Sequence, residues 1–200
     1  MATRRQQQKE ETARKIFESA VRLFREQGFE RTTVEEITRD AGVAKGTFFA
    51  HFPNKEAVLD HIGSVQMQRV ADAIGADPSF AARDTRAKLH LVVSTLTRGV
   101  ASQQAEMRAL TIEILARRSL LDLDRQNITA LDALLEQIIG AGQRSGELRA
   151  DTPAARLAML VRGAYFLALF EWVGDASLDL VALAAGQLEL VLDGIARRGA

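Results

Sequence analysis

Apolar residues recur along this chain every three to four positions, which predicts helices throughout, and no segment reads as a strand. Ile16, Ala20, Leu23 and Phe24 stand at i, i+4, i+7 and i+8, one face of an amphipathic helix over about residues 8–27. Gly28 ends that helix, and Phe29 is the apolar contact that accompanies such a cap. Thr33 lies three residues before Glu36, a capping-box spacing that opens a short helix over about residues 34–40. Gly42 suits a backbone position of positive φ, with Val43 plugging inward behind it. A third short helix runs from Ala44 to about residue 50, and Pro53 keeps it from continuing. Asn54 is then a good N-cap for a long fourth helix through about Ile74.

Beyond Pro78 the periodicity predicts helices over about residues 81–101, 104–118 and 122–143, then a turn in GQRSGELRADTP. Thr152 and Pro153 read as a cap plus first-turn proline, opening a helix to about Val173. Ser177 opens the last helix, which ends near Arg197. Its apolar positions form two seams: Val181, Ala184, Ala185, Leu188, Leu192 and Ile195 in one, Leu180, Leu183 and Val191 in the other. That is more apolar surface than one small bundle uses, and it predicts a homodimer interface. The expected fold is all-α with about nine helices.

Composition agrees, and charge adds one point. The chain has 200 residues, 47% hydrophobic and 26% charged, enough for a real core and unlike a disordered segment. It has no cysteine, so disulfides, thiolate metal sites and cysteine nucleophiles are excluded. The net charge of zero hides an asymmetry: residues 1–55 carry eleven Lys/Arg against eight Asp/Glu, and the remainder fifteen against eighteen. A basic head on an acidic body suggests that one end meets a polyanion. Arg4 and Arg5 are not followed by an apolar run, and the most apolar stretch, LAMLVRGAYFLALFEWVG, is interrupted by Arg162 and Glu171. The expectation is a soluble, cytoplasmic protein with no membrane partner.

Two short helices joined by a glycine-containing turn, with a longer helix as support, make a helix-turn-helix. Such a unit places its second helix in the DNA major groove. Phe48 and Phe52, four apart, anchor one side of that helix, while Ala44, Lys45, Gly46 and Thr47 form a slim polar tip on the other. A hairpin that only packs would also bury the two phenylalanines. It would not need Lys45-Gly46-Thr47 opposite them, and glycine in a helix costs roughly 1 kcal/mol relative to alanine.

These residues resemble the DNA-binding domain of the TetR family of bacterial transcriptional regulators. The likeness is carried by Gly28-Phe29, Thr32-Thr33-Val34, Ile37, Ala41-Gly42-Val43, Lys45-Gly46-Thr47, His51-Phe52 and Asn54-Lys55-Glu56, and covers about residues 10–60. It implies a DNA-binding domain over residues 1–55 and a ligand-binding and dimerisation domain over 56–200. By the resemblance Thr33 caps its helix and touches a phosphate, Ala44, Lys45, Gly46 and Thr47 lie at the recognition surface, and His51 and Lys55 contact phosphates. Phe49 stands where the family usually has tyrosine, so a phosphate hydroxyl contact is missing there; Thr38 replaces a common alanine, and Ala44 a common serine. The Arg4, Arg5, Lys9 tail could compensate by reaching an adjacent minor groove.

In the second half Thr95, Thr111, Glu113, Arg162 and Tyr165 interrupt apolar helices, with Phe166, Phe170 and Trp172 nearby. They read either as a pocket for an apolar or aromatic inducer or as a core with polar residues facing solvent. The existence of a pocket follows from the resemblance. His51, His61 and His90 form no i, i+4 pair, so no metal site is expected. No catalytic residue or cofactor is implied: there is no phosphate-cradling loop or nucleophile elbow, and Asp122 and Asp124 read as helix-dipole partners. The expected function is a ligand-responsive repressor that binds a palindromic double-stranded operator as a dimer and is released by a small-molecule inducer. An all-helical carrier or enzyme, and a protein-interaction adaptor, are the alternatives; neither accounts for the basic head.

Overall fold

The computed structural model describes residues 4–101, 108, 111, 125–175 and 177–196, with backbone alone at 4–6, 60 and 125–127. The described residues form eight α-helices, one 3-10 turn and no strand beyond the isolated bridge between Leu148 and Ala196. The helix expected over 104–118 lies outside them except at Arg108 and Thr111, both helical. The chain divides into two compact units, Met1–Gly63 with Arg108–Leu120, and Ser64–Met107 with Leu121–Ala200.

The first unit holds α1 (Arg4–Gln27), α2 (Val34–Ala41), α3 (Lys45–His51) and the start of α4 (Glu56–Gly75). Because α1 begins at Arg4, the backbone of Arg4, Arg5 and Lys9 is helical, not an extended tail. Ile16, Ala20 and Phe24 of α1 are buried with Phe29, Ile37, Phe48, Phe52, Val58 and Leu59. Leu23 is only half-buried, at the edge of that stripe. Gly28 adopts φ 84° and Gly42 φ 67°, the left-handed region in which a Cβ is strained. At Gly42 the next amide, Val43, donates back to the Thr38 carbonyl at 3.0 Å, closing the turn between α2 and α3. Asn54 accepts the Ala57 N–H at 2.8 Å, as its N-cap spacing predicts. His61 is half-buried. It stands edge-on to Phe17 and Phe52, with ring centroids 5.1 and 5.6 Å away, and burial lowers its pKa from the ordinary value.

The second unit continues from α4 through a 3-10 turn (Phe80–Ala82) to α5 (Thr85–Ala101), α6 (Arg125–Ser145), α7 (Ala154–Gly174) and α8 (Leu180–Ile195). Its core runs through Leu89, Val92 and Leu96 of α5, Leu135 and Ile139 of α6, Val161, Ala168 and Trp172 of α7, and Leu188 and Leu192 of α8. Three helix starts differ from the sequence expectation; at α5 and α8 another oxygen captures the free amides. At α5, Asp84 accepts from the Ala87 N–H and Glu147 from the Thr85 N–H, both at 2.6 Å, so residues 80–82 form a separate turn. At α7, the Thr152 hydroxyl goes to Asp151 at 3.3 Å and leaves Pro153 as the cap. At α8, the Ser177 hydroxyl donates to Asp175, while the Asp179 carboxylate accepts from Val181 and Ala182.

α6 packs closely against the start of α5. A Cβ on Gly142 would lie 2.3 Å from Thr85 Oγ1 and 3.0 Å from its Cβ, so only glycine fits. By length and composition α7 could cross a membrane, with a mean hydropathy of 1.4, so the two charges do not break its apolar run. Here it is a bundle helix: Leu157, Val161, Tyr165, Ala168 and Trp172 are buried in the core, and Arg162 donates from Nε to Asp132 of α6 at 2.7 Å. Ala164, Ala168 and Ala184 are buried within the protomer.

Trp172 is 1% exposed and among the largest buried side chains. Trp172→Ala is expected to destabilise the second unit by roughly 3–5 kcal/mol. Urea unfolding followed by circular dichroism measures this, and a loss below about 1 kcal/mol contradicts the packing described.

Candidate functional site: a nucleic-acid interface

The capping box expected at Thr33 is formed. Its hydroxyl accepts the Glu36 N–H at 3.2 Å, and Glu36 Oε2 accepts the Thr33 N–H at 2.8 Å and its hydroxyl at 2.9 Å. Those two Thr33 bonds, the backbone one the larger, hold Glu36 below the ordinary carboxylate pKa. Gln27 adds a third donor, at 3.1 Å from the same Glu36 oxygen. The start of α2 is thereby fixed to the end of α1, and an Arg22–Asp40 ion pair joins the same helices further along.

From α2 the glycine turn delivers α3 with two unlike sides. Phe48 and Phe52 are buried, while Ala44, Lys45, Gly46 and Ala50 are exposed and Thr47 is half-exposed. Nothing lies within 4 Å of a Cβ built on Gly46, so there is open space beside the tip. Phe49 is 47% exposed, its ring edge-on to Phe48 at 5.4 Å. His51 ends the helix half-buried, and burial first, the Lys9 charge second, lower its pKa from the ordinary value. Both effects favour the neutral ring over the charged one.

Two cations are already engaged. Lys45 pairs with Glu35 of α2. The hydrogen bond from Lys45, with backbone and charge contributions, lowers the Glu35 pKa. Lys55, expected to contact a phosphate, instead turns its ammonium onto the carbonyls of Phe29 and Thr32. Sequence reasoning missed Glu35 and Gln27 as neighbours of the site, because their partners are remote along the chain.

The chain's residues 16–62 match the family model described as bacterial regulatory proteins, tetR family. The fatty acid metabolism regulator protein of Bacillus subtilis (strain 168) is 28% identical over 188 residues, spanning 90% of this chain and 93% of that protein. Among solved structures, Thermus thermophilus FadR in complex with lauroyl-CoA, a TetR-family transcriptional repressor, is 28% identical with a TM-score of 0.70. That match covers 94% of this chain and 97% of the other. FadR from Bacillus subtilis in complex with stearoyl-CoA is 26% identical with a TM-score of 0.74, covering 91% and 98%. Residues 16–62 thus carry the TetR-family signature, and the likeness to TetR-family regulators extends over most of the chain.

Among the described residues, the expected ligand residues do not form one cluster. Tyr165 and Trp172 lie inside the second unit, and burial raises the Tyr165 pKa well above the ordinary phenol value. Phe166 is partly buried against the core. Phe170 is on the outer face of α7 with Met159, Leu160 and Leu167, all exposed. Thr95 spends its hydroxyl on the Leu91 carbonyl at 2.7 Å, and Arg162 is the partner of Asp132. Thr111 is buried but groups with the first unit, and Glu113 lies outside the described residues. An open cleft of about 650 Å³ along α6, lined by Glu136, Gln137, Gln143 and Arg144 over Ala133 and Gly140, includes none of these residues.

Glu35 holds Lys45 and adds negative charge beside the open tip. Glu35→Gln is expected to raise affinity for duplex DNA severalfold at low salt, with the gain shrinking as salt screens it. Fluorescence anisotropy over a salt series tests this; weaker binding by the variant would show that Glu35 is needed to aim Lys45.

Proposed function

We propose that this chain is a transcriptional repressor that binds a palindromic double-stranded operator as a homodimer and is released by a fatty acyl-CoA thioester. The single observation that carries DNA reading is the two-sided α3, anchored by buried Phe48 and Phe52 and open at Lys45, Gly46 and Thr47. On this reading Lys45 and Thr47 meet base edges, and Ala44 and Gly46 allow close approach. Thr33 and His51 meet phosphates, and Phe49 lies against the groove without the hydroxyl of tyrosine. Residues 1–55 serve as the reading domain and residues 56–200 as the ligand-binding and dimerisation domain. The function is regulatory, not enzymatic, and cytoplasmic, where the DNA is.

The second copy is supported by an apolar face. Met159, Leu160, Leu167 and Phe170 of α7 and Leu190 of α8 are large, exposed and apolar, and Leu190 is 76% exposed. Gly163 and Gly186 on the same helices have open space where a side chain would stand. Such a patch marks an interface, and twofold pairing closes it on itself. Two reading helices then face half-sites about one turn of DNA apart, or somewhat more. The acyl-CoA class is supported by full-length likeness to two FadR proteins solved with lauroyl-CoA and stearoyl-CoA. It also agrees with the apolar interior of the second unit, whose chemistry suits an acyl chain.

A duplex selected by the protein from a randomised pool should be palindromic, and stearoyl-CoA or lauroyl-CoA should weaken its binding by about 5- to 150-fold. Sequence-selective binding untouched by either thioester would reject the ligand class; binding without sequence preference would reject the reader. Leu167→Arg is expected to yield monomers in analytical ultracentrifugation and to lose preference for the palindrome over a single half-site. A variant that stays dimeric would place the interface elsewhere.

A further inference from the structure

The turn between α1 and α2 has its carbonyls satisfied mostly by side chains. The Gln27 carbonyl accepts from Arg31 Nε at 2.6 Å, and the Gly28 carbonyl from the Thr32 hydroxyl at 2.8 Å. The Phe29 and Thr32 carbonyls accept from Lys55 Nζ at 2.6 and 2.9 Å, and the Glu30 carbonyl lies 3.5 Å from the same nitrogen. The ammonium also sits 4.2 Å from the centre of the Phe29 ring, close enough for a cation–π contact. An ammonium has three donors. Here at least two are spent within the protein, on residues 23 and 26 positions away.

Lys55 comes from the segment just before α4, where Asn54 caps that helix. Its carbonyl partners come just before Thr33, whose capping box starts α2, and α2 in turn carries Glu35, the partner of Lys45 at the α3 tip. Resting on the DNA-binding reading above, we propose that Lys55 is a positioning residue. It ties the turn between α1 and α2 to the head of α4, sets the angle at which α3 is presented, and makes no contact with operator phosphate. A lysine beside a helix start ordinarily reads as a phosphate contact, and that role would require Nζ to abandon two carbonyls. Thr32 is 1% exposed, so water cannot readily replace the lost donor on that residue.

The two roles differ in salt dependence. Each phosphate contact contributes about 0.9 to the slope of log affinity against log salt. A positioning lysine contributes nothing to that slope, yet its loss blurs discrimination between sequences. The test uses the full chain, the duplex it selects from a randomised pool, and a scrambled duplex of equal length. Wild-type preference for the selected duplex first establishes the reader itself, independently of Lys55. For Lys55→Met, at a temperature where circular dichroism shows a native fold, the salt slope is expected to match wild type. The ratio of selected to scrambled affinity is expected to fall by about tenfold or more, a loss that a merely stabilising residue would not cause below its melting point. A slope reduced by about 1, or an unchanged ratio, overturns the proposal. Should Lys55→Met fail to fold, the wild-type protein decides it by nitrogen-15 spectroscopy of the lysine ammonium groups. A Lys55 signal unmoved by the selected duplex supports the latch, and one that shifts on binding overturns it.

Discussion

The first unit depends on burial of Phe48 and Phe52 against α1 and the start of α4. A helix of seven residues does not hold its shape alone in water, because its nucleation cost is spread over too few bonds. Each ring contributes on the order of 2 kcal/mol when fully removed from water, so tertiary packing supplies what propensity cannot. That requirement confines both rings to one side and leaves the other free of any structural duty. The exposed side can then be slim, which is why alanine, glycine and threonine are tolerated there. Phe52 also meets His61, and His61 meets Phe17, so one aromatic chain links α3, α4 and α1.

Most of this unit was legible in the sequence because its determinants are short-range. Thr33 and Glu36 are three apart, Gly42 follows its helix directly, and Phe48 and Phe52 are four apart on α3. Long-range partners were not legible. Lys55 reads as a cation beside a helix start, and nothing nearby announces that its acceptors are Phe29 and Thr32. Lys45 likewise reads as unencumbered until α2 brings Glu35 to it. In the second unit three helix starts were misread, two of them where several oxygens compete for the same amides. Asp179 captures the α8 amides ahead of Ser177, and Glu147 reaches α5 from sixty-two residues away, a partner that no local pattern encodes.

The ligand residues were the least legible because α7 is apolar nearly all round. Periodicity cannot separate the side facing the bundle from the side facing outward when both are apolar. The structure separates them: Tyr165 and Trp172 turn inward, Leu167 and Phe170 outward. The same ambiguity lets this helix meet the length and hydropathy of a membrane span. Its Arg162 shows how a charge is tolerated there, since Asp132 on α6 takes up the guanidinium where the two helices pack.

The contact between Gly142 and Thr85 carries a consequence for how the second unit can change over generations. Adding one residue upstream within α6 would rotate everything after it by about 100° and bring a different side chain, with its Cβ, to the place that Gly142 leaves vacant. The Thr85 methyl and hydroxyl already fill that space. Length variation among descendants of this chain should therefore collect in loops outside α6, while the helix keeps its residue count and tolerates exchange only on its solvent side.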